Sequence, residues 1–266
     1  MTYQNFDVQL ADHIAHVRLN RPDKRNAMDP NFWRELPEII QDIDDNARAR
    51  VIVISSTGPH FSAGLDLTMF GSEQGNQGPS PTANQAAIEE RKKQRAVAAY
   101  NHILHMQKSF NCLEQCRLPV LCAVQGGAFG GGVDLATACD MRYATEDAFF
   151  VIQEINIALT ADVGTFPRLV KLIPEGIVRE LAYTGRKYSA SEAKASGLVN
   201  NVFPNHEALI NGVMEIAKEI ASKAPVAANG MENTKTKGAV RDSKEEAKMI
   251  NIKRIAAPAK DLKSFI

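Results

Sequence analysis

Hydrophobic and polar positions alternate over the first twenty residues. Phe6, Val8 and Leu10 precede a break at Ala11-Asp12-His13, and Ile14, Val17 and Leu19 follow it. A period of two on either side of a short polar break predicts a β-hairpin. After the polar turn Asn20–Asn26 the period lengthens. Asp29 reads as a helix N-cap with Pro30 at the first helical position, and Phe32, Trp33, Leu36, Ile39, Ile40 and Ile43 share one helical face. This predicts an amphipathic helix ending near Asn46. Two short all-apolar runs, Val51–Ile54 and Val120–Val124, suit strands buried on both faces, as in an α/β layer structure.

Between these strands lie two different stretches. Residues 71–84 are rich in Gly, Ser, Pro and Asn, which predicts a surface loop. Residues 85–116 read as helix, with Ile88, Val97, Tyr100, Ile103, Leu104, Phe110 and Leu113 as the buried stripe. After Asp140 the order is strand, loop, helix, helix, strand to about Phe203. From Asn205 three helical segments follow, broken by Ala224-Pro225 and by a polar stretch near Gly238. The loss of strands there divides the chain into a core, residues 1–204, and a C-terminal helical region, residues 205–266. The apolar faces of that region would pack on the core or on neighbouring subunits.

Composition narrows the function classes. The 266 residues are 44% hydrophobic and 23% charged, ordinary values for a globular chain. Lys plus Arg and Asp plus Glu both number 31, so no long-range positive field gathers nucleic acid. No run of about 18 apolar residues predicts a membrane span. The start carries no signal-peptide pattern, and the expected location is cytoplasmic. The four cysteines, Cys112, Cys116, Cys122 and Cys139, show no paired CxxC spacing and read as reduced, buried thiols. Cys112 and Cys116 are four apart with His102 and His105 nearby, but no structural-zinc pattern is completed, and no metal is expected.

The chemistry concentrates in two turns. His60-Phe61-Ser62-Ala63-Gly64-Leu65-Asp66-Leu67 follows the first buried strand. Gln125-Gly126-Gly127-Ala128-Phe129-Gly130-Gly131-Gly132-Val133-Asp134 follows the second. Each is strand, small-residue turn, helix start, and helix N-termini present unpaired N–H groups. Two such turns side by side can aim two N–H groups at one oxygen, an oxyanion hole suited to enolate chemistry. The same glycines also suit a close-packed helix–strand crossing. The second turn lacks the Lys-Ser/Thr ending of a P-loop, and Leu135 stands where a dinucleotide motif needs its third Gly.

The segments LNRPDKRNAM, FSAGLDL, AVQGGAFGGGVDLATACDMRYAT, FFVIQEINIAL, RLVKLIP and YTGRKYSASEAKASGLVNNVF, in this order, resemble the crotonase (enoyl-CoA hydratase/isomerase) superfamily over residues 5–260. The resemblance implies an α/β spiral of ββα units with a C-terminal helical region used for trimerisation. It implies assembly as homotrimers or as homohexamers of two trimers. It implies an acyl-CoA thioester as partner, with coenzyme A part of the substrate and no further cofactor. Ala63 and Gly131 would supply the oxyanion N–H groups. Lys24, Arg25, Ser62, Gly64, Leu65 and Asp66 would lie along the CoA moiety.

Three carboxylates refine the reading. Asp134 follows the glycine run, Glu154 lies between apolar residues in QEI, and Asp162 stands in ADVGT. Hydratases of this family carry glutamates at the positions of Asp134 and Glu154, and an uncharged, glycine-rich segment in place of ADVGT. Glu154 paired with Asp162 resembles the dienoyl-CoA isomerases, which convert 3,5-dienoyl to 2,4-dienoyl thioesters. That reaction removes a proton beside the thioester and returns one four carbons along. Two acid/base groups spaced along the acyl chain can do this, with Asp134 tuning them and with either Glu154 or Asp162 taking the first proton. Asp134 and Asp162 also stand where they can cap helices. The alternatives are a simple enoyl-CoA hydratase or Δ3,Δ2-enoyl-CoA isomerase, and a non-catalytic scaffold of the same fold. Retention of all three carboxylates speaks against the scaffold.

Overall fold

The computed structural model describes residues 3–68 and 85–223. The expected loop at 71–84 and the chain beyond 223, with the second and third expected C-terminal helices, lie outside the described residues. The hairpin is β1 (Phe6–Ala11) and β2 (Ile14–Leu19), antiparallel with Ala11 opposite Ile14. Its two-residue turn places Asp12 and His13 at φ 51° and 62°, the left-handed pair that matches strand twist in tight hairpins.

Helix α1 spans Pro30–Asp45. Asp29 caps it, its carboxylate accepting from Asn31 N at 3.0 Å and Phe32 N at 3.1 Å. The six predicted apolar residues of its face are all buried. Strands β3 (Val51–Ser56), β4 (Val120–Val124), β6 (Met141–Thr145) and β9 (Asn201–Phe203) run parallel to β2, giving the sheet order β1-β2-β3-β4-β6-β9. Every residue of β3 and β4 is buried. Ile52, Ile54, Val120 and Cys122 pack with the α1 face; Val51, Val53, Leu121 and Ala123 pack beneath Leu209, Val213, Ala217 and Ala221. The last four belong to helix α7 (His206–Ala221), so the first part of the expected C-terminal region covers the sheet's second face. Burying a Leu or Val side chain contributes about 1.5–3 kcal/mol.

Helix α2 (Gln85–Gln115) fulfils the helical prediction but not the whole stripe. Phe110 and Leu113 are buried, Tyr100, Ile103 and Leu104 are half-buried, and Val97 is 59% exposed. Among the described residues the core ends short of this helix's N-terminal half.

A second sheet, β5 (Gly127–Phe129), β7 (Phe149–Val151) and β8 (Tyr188–Ser189), carries the glycine turn. Helices α3 (Gly131–Ala138), α4 (Thr165–Leu172), α5 (Glu175–Thr184) and α6 (Ala190–Ser196) complete the described chain. Two single-turn 3-10 helices lie at Pro22–Lys24 and Gln153–Ile157. Cys112 Sγ donates to Ser109 O and Cys116 Sγ accepts from Leu118 N, so both thiols have backbone partners.

Candidate active site

The segment Ser62–Asp66 is clamped from two sides. On one, Ser62 N donates to Gly127 O at 3.3 Å and Phe129 N to Ser62 O at 3.0 Å. On the other, Ala63 N donates to Arg25 O at 2.9 Å, Met28 N to Gly64 O at 2.8 Å and Asp66 N to Met28 O at 3.0 Å. This pattern corrects one expectation: the Ala63 N–H is spent on Arg25. In an extended segment successive N–H groups point to opposite sides. Gly64 O and Asp66 N face Met28, so Leu65 N–H faces away from it. Among the described residues nothing accepts from Leu65 N–H.

Gly131 N–H is the natural counterpart. It opens α3, where the first N–H groups have no intrahelical acceptor. Val133 N and Asp134 N both bond Gly130 O, at 2.7 and 3.1 Å, and leave Gly131 N–H unpaired among the described residues. The two turns touch. A methyl group on Gly64 (φ 77°) would fall 2.6 Å from Phe129 O and 3.2 Å from Gly131 N. Only glycine permits that approach. Leu65 and Gly131 are therefore two facing donors, one from each turn, that the described residues leave open, and the sequence pattern could not separate Leu65 from Ala63 because both flank the same glycine. Ser62 Oγ donates to Asn26 O at 2.8 Å and accepts from Gly64 N at 3.1 Å, holding the turn from within.

Behind the turns sit the carboxylates. Asp134 is fully buried; its Oδ1 accepts from Thr165 Oγ1 at 2.6 Å, and its Oδ2 has no hydrogen-bond partner among the described residues. Neither helix-cap alternative survives. Gly130 is the N-cap residue of α3 and Gly164 that of α4, and Asp134 bonds Thr165 instead. Glu154 stands on the second 3-10 helix with its Oε2 buried and unpartnered among the described residues. Its carboxylate lies against Gly130: a methyl group there would come within 2.8 Å of Glu154 Oε1, at a φ of 46° that already favours glycine. The Glu154 carboxylate is thus tied sterically to the second turn.

Burial raises the Asp134 carboxyl to about 6; Thr165 and Arg168 oppose the rise, and Asp162 adds to it. Burial raises Glu154 to about 8, with further repulsion from Asp134 and Asp162. The three carboxylates predicted from sequence therefore sit within electrostatic reach of one another. Asp162 is half-buried, and its carbonyl accepts from Gln107 Nε2 at 2.6 Å.

The expected CoA-side residues divide. Lys24 and Arg25 are exposed, and their side chains form no ion pair among the described residues. Asp66 is taken up by the fold: its carboxylate pairs with Arg21 at 2.8 Å and accepts from Thr68 Oγ1 at 2.7 Å, which together hold its pKa down. The expectation for Ala63 to Asp66 concerns their backbone, which these side-chain bonds hold in place. Sequence reasoning missed Thr165 and Arg168, because no local pattern signals pairings between residues 31 apart (Thr165 with Asp134) or 54 apart (Arg168 with Glu114).

Comparison with known proteins bears on the family and the fold. The profile described as enoyl-CoA hydratase/isomerase matches residues 9–261. The chain is 44% identical over 232 residues to the mitochondrial Δ(3,5)-Δ(2,4)-dienoyl-CoA isomerase of Mus musculus, covering 86% of this chain and 67% of that protein. It is 40% identical over 217 residues to the peroxisomal enzyme of the same name from Arabidopsis thaliana, covering 82% and 75%. The chain thus spans about two thirds to three quarters of these relatives. Among solved structures, an enoyl-CoA hydratase described from Thermobifida fusca in complex with CoA superposes with a TM-score of 0.75 at 25% identity, covering 95% and 94%. No described helix is long and apolar enough to cross a membrane. With its spiral fold, its two facing glycine turns and these relatives, the chain belongs to the enoyl-CoA hydratase/isomerase (crotonase) family.

Proposed function

We propose that this protein isomerises 3,5-dienoyl-CoA to 2,4-dienoyl-CoA. The observation that carries the reading is the placement of three mutually interacting carboxylates, two with raised proton affinity, behind two turns that leave Leu65 N–H and Gly131 N–H without acceptors among the described residues. The thioester oxygen accepts from Leu65 N–H and Gly131 N–H. A carboxylate removes the proton on the carbon beside the thioester, and the negative charge spreads through a dienolate onto that oxygen. A carboxylic acid then delivers a proton four carbons along. Glu154, held near 8 by burial, carries a proton at neutral pH and is equipped to deliver it. Asp162 is then the base. After turnover the two groups have exchanged protonation states, and a proton returns to Glu154 before the next cycle.

Lys24 and Arg25, exposed and without acidic partners among the described residues, suit the phosphates of CoA. Assembly as trimers or as dimers of trimers, with part of residues 205–266 in the interface, completes the proposal. No cofactor is invoked. Asp162→Asn tests the acid/base role. One such group is typically worth about 10²–10⁴-fold in rate, and a loss of that size in dienoyl isomerisation, with an unchanged melting temperature, is the expected result. Near wild-type isomerisation by the Asn variant would transfer the chemistry to Asp134 and Glu154, the pair a hydratase would use.

A further inference from the structure

Two buried carboxylates near each other raise a question of proton ownership. Asp134 Oδ2 and Glu154 Oε2 are both buried and without partners among the described residues. Two unpaired negative charges in such a place are costly, so at neutral pH the pair holds one proton between them. Geometry distinguishes the two sites. Asp134 Oδ1 receives the Thr165 hydroxyl at 2.6 Å, and both residues are fully buried. Glu154 receives no side-chain donor among the described residues.

We propose that Thr165 is a positioning residue that assigns the shared proton to Glu154 by holding Asp134 in its ionised form. The proposal rests on the isomerase reading above. A hydroxyl donor stabilises a carboxylate over a carboxylic acid, and the effect is largest where water is excluded. Ionised Asp134 then repels ionisation of Glu154 and keeps it a proton donor. Thr165 opens α4, and one turn on, Arg168 reinforces it. The Arg168 guanidinium is buried, pairs with Glu114 at 3.0 Å and Asn111 at 2.8 Å on α2, and lowers the proton affinity of Asp134. Gly164, at φ 126°, makes room for it: a methyl group there would fall 2.1 Å from an Arg168 terminal nitrogen. The groups that decide the titration are thus Asp134 on α3, Glu154 on the 3-10 helix, Asp162 before α4, and Thr165 and Arg168 on α4. The pair titrates as a unit, so its two steps belong to both carboxyls.

The test compares Thr165→Val, which keeps shape and removes the donor, with Thr165→Ser, which keeps it. Two readouts are used: the pH profile of dienoyl-CoA isomerisation, and a 13C NMR titration of the carboxyl carbons, which needs no turnover. In Thr165→Val the lower titration step is expected to rise by about one pH unit toward the upper one, moving the acid limb of the pH profile with it and lowering kcat at neutral pH about twofold, with KM little changed. Thr165→Ser should restore the wild-type profile. A Val variant with both wild-type titration steps would overturn the inference, whatever its stability, because a purely packing role moves melting temperature and not the carboxyl titration. Wild-type enzyme that fails to isomerise the diene would instead overturn the isomerase reading, and the NMR titration would still decide the Thr165 assignment.

Discussion

Glu154 is the residue on which charge, sterics and chemistry meet. Its carboxyl rests against Gly130, and burial lifts its proton affinity to about 8 from an ordinary value of 4.5. That shift has a consequence for stability. Between about pH 4.5 and 8 the folded chain holds this proton and the unfolded chain releases it. Folding stability from this group is therefore highest in acid and falls as pH rises through that window. Replacing Glu154 with Gln removes the penalty. The Gln variant is expected to match wild type at pH 4.5 and to melt at a higher temperature above pH 8, as followed by circular dichroism. Equal melting temperatures at pH 8.5 would show that Glu154 ionises freely. At this scale the sequence singled out carboxylates that the fold brings within electrostatic reach of one another. Apolar neighbours around a lone carboxylate marked Glu154, and ADVGT marked Asp162. It was silent on hydrogen-bond partners, which is why Ala63 and Leu65 exchanged roles and why Thr165 went unseen.

At the scale of elements, local periodicity succeeded where an element meets the core along its whole length. The hairpin, α1 with its Asp29 cap and the two buried strands are of this kind. It misled on α2, whose length of roughly 46 Å at 1.5 Å per residue exceeds the face that the described residues offer it. Its sequence repeats apolar residues regardless, and Val97 is left in solvent. The docking of α7 brings a second pH effect. His16 lies on the α7 side of β2, buried, with its Nε2 2.7 Å from Ser55 Oγ. Burial lowers its pKa to about 4 from 6.5, and Arg18 adds to the shift. The unfolded chain binds this proton first. Stability from His16 is therefore complete above pH 6.5 and is lost as pH falls toward 4. His16→Gln should flatten the decline in melting temperature between pH 6.5 and 4. An unchanged slope would place the acid sensitivity elsewhere.

At the scale of the molecule, the fold brings distant stretches to one place. Residues 62–66, 130–134, 154 and 162–168 converge because parallel strands β3 and β4 end together and the second sheet carries the chain back past them. The order of motifs along the chain was legible as a family pattern. The convergence itself was not, since it depends on sheet register rather than on any local spacing. The proposed activity is the movement of double bonds rather than the addition of water. Its most direct test is a product assay in which the wild-type enzyme meets a 3,5-dienoyl-CoA and a 2-enoyl-CoA side by side. A rise in conjugated 2,4-dienoyl-CoA absorbance is expected from the first and little 3-hydroxyacyl-CoA from the second. Hydration of the 2-enoyl-CoA much faster than isomerisation of the diene would contradict it.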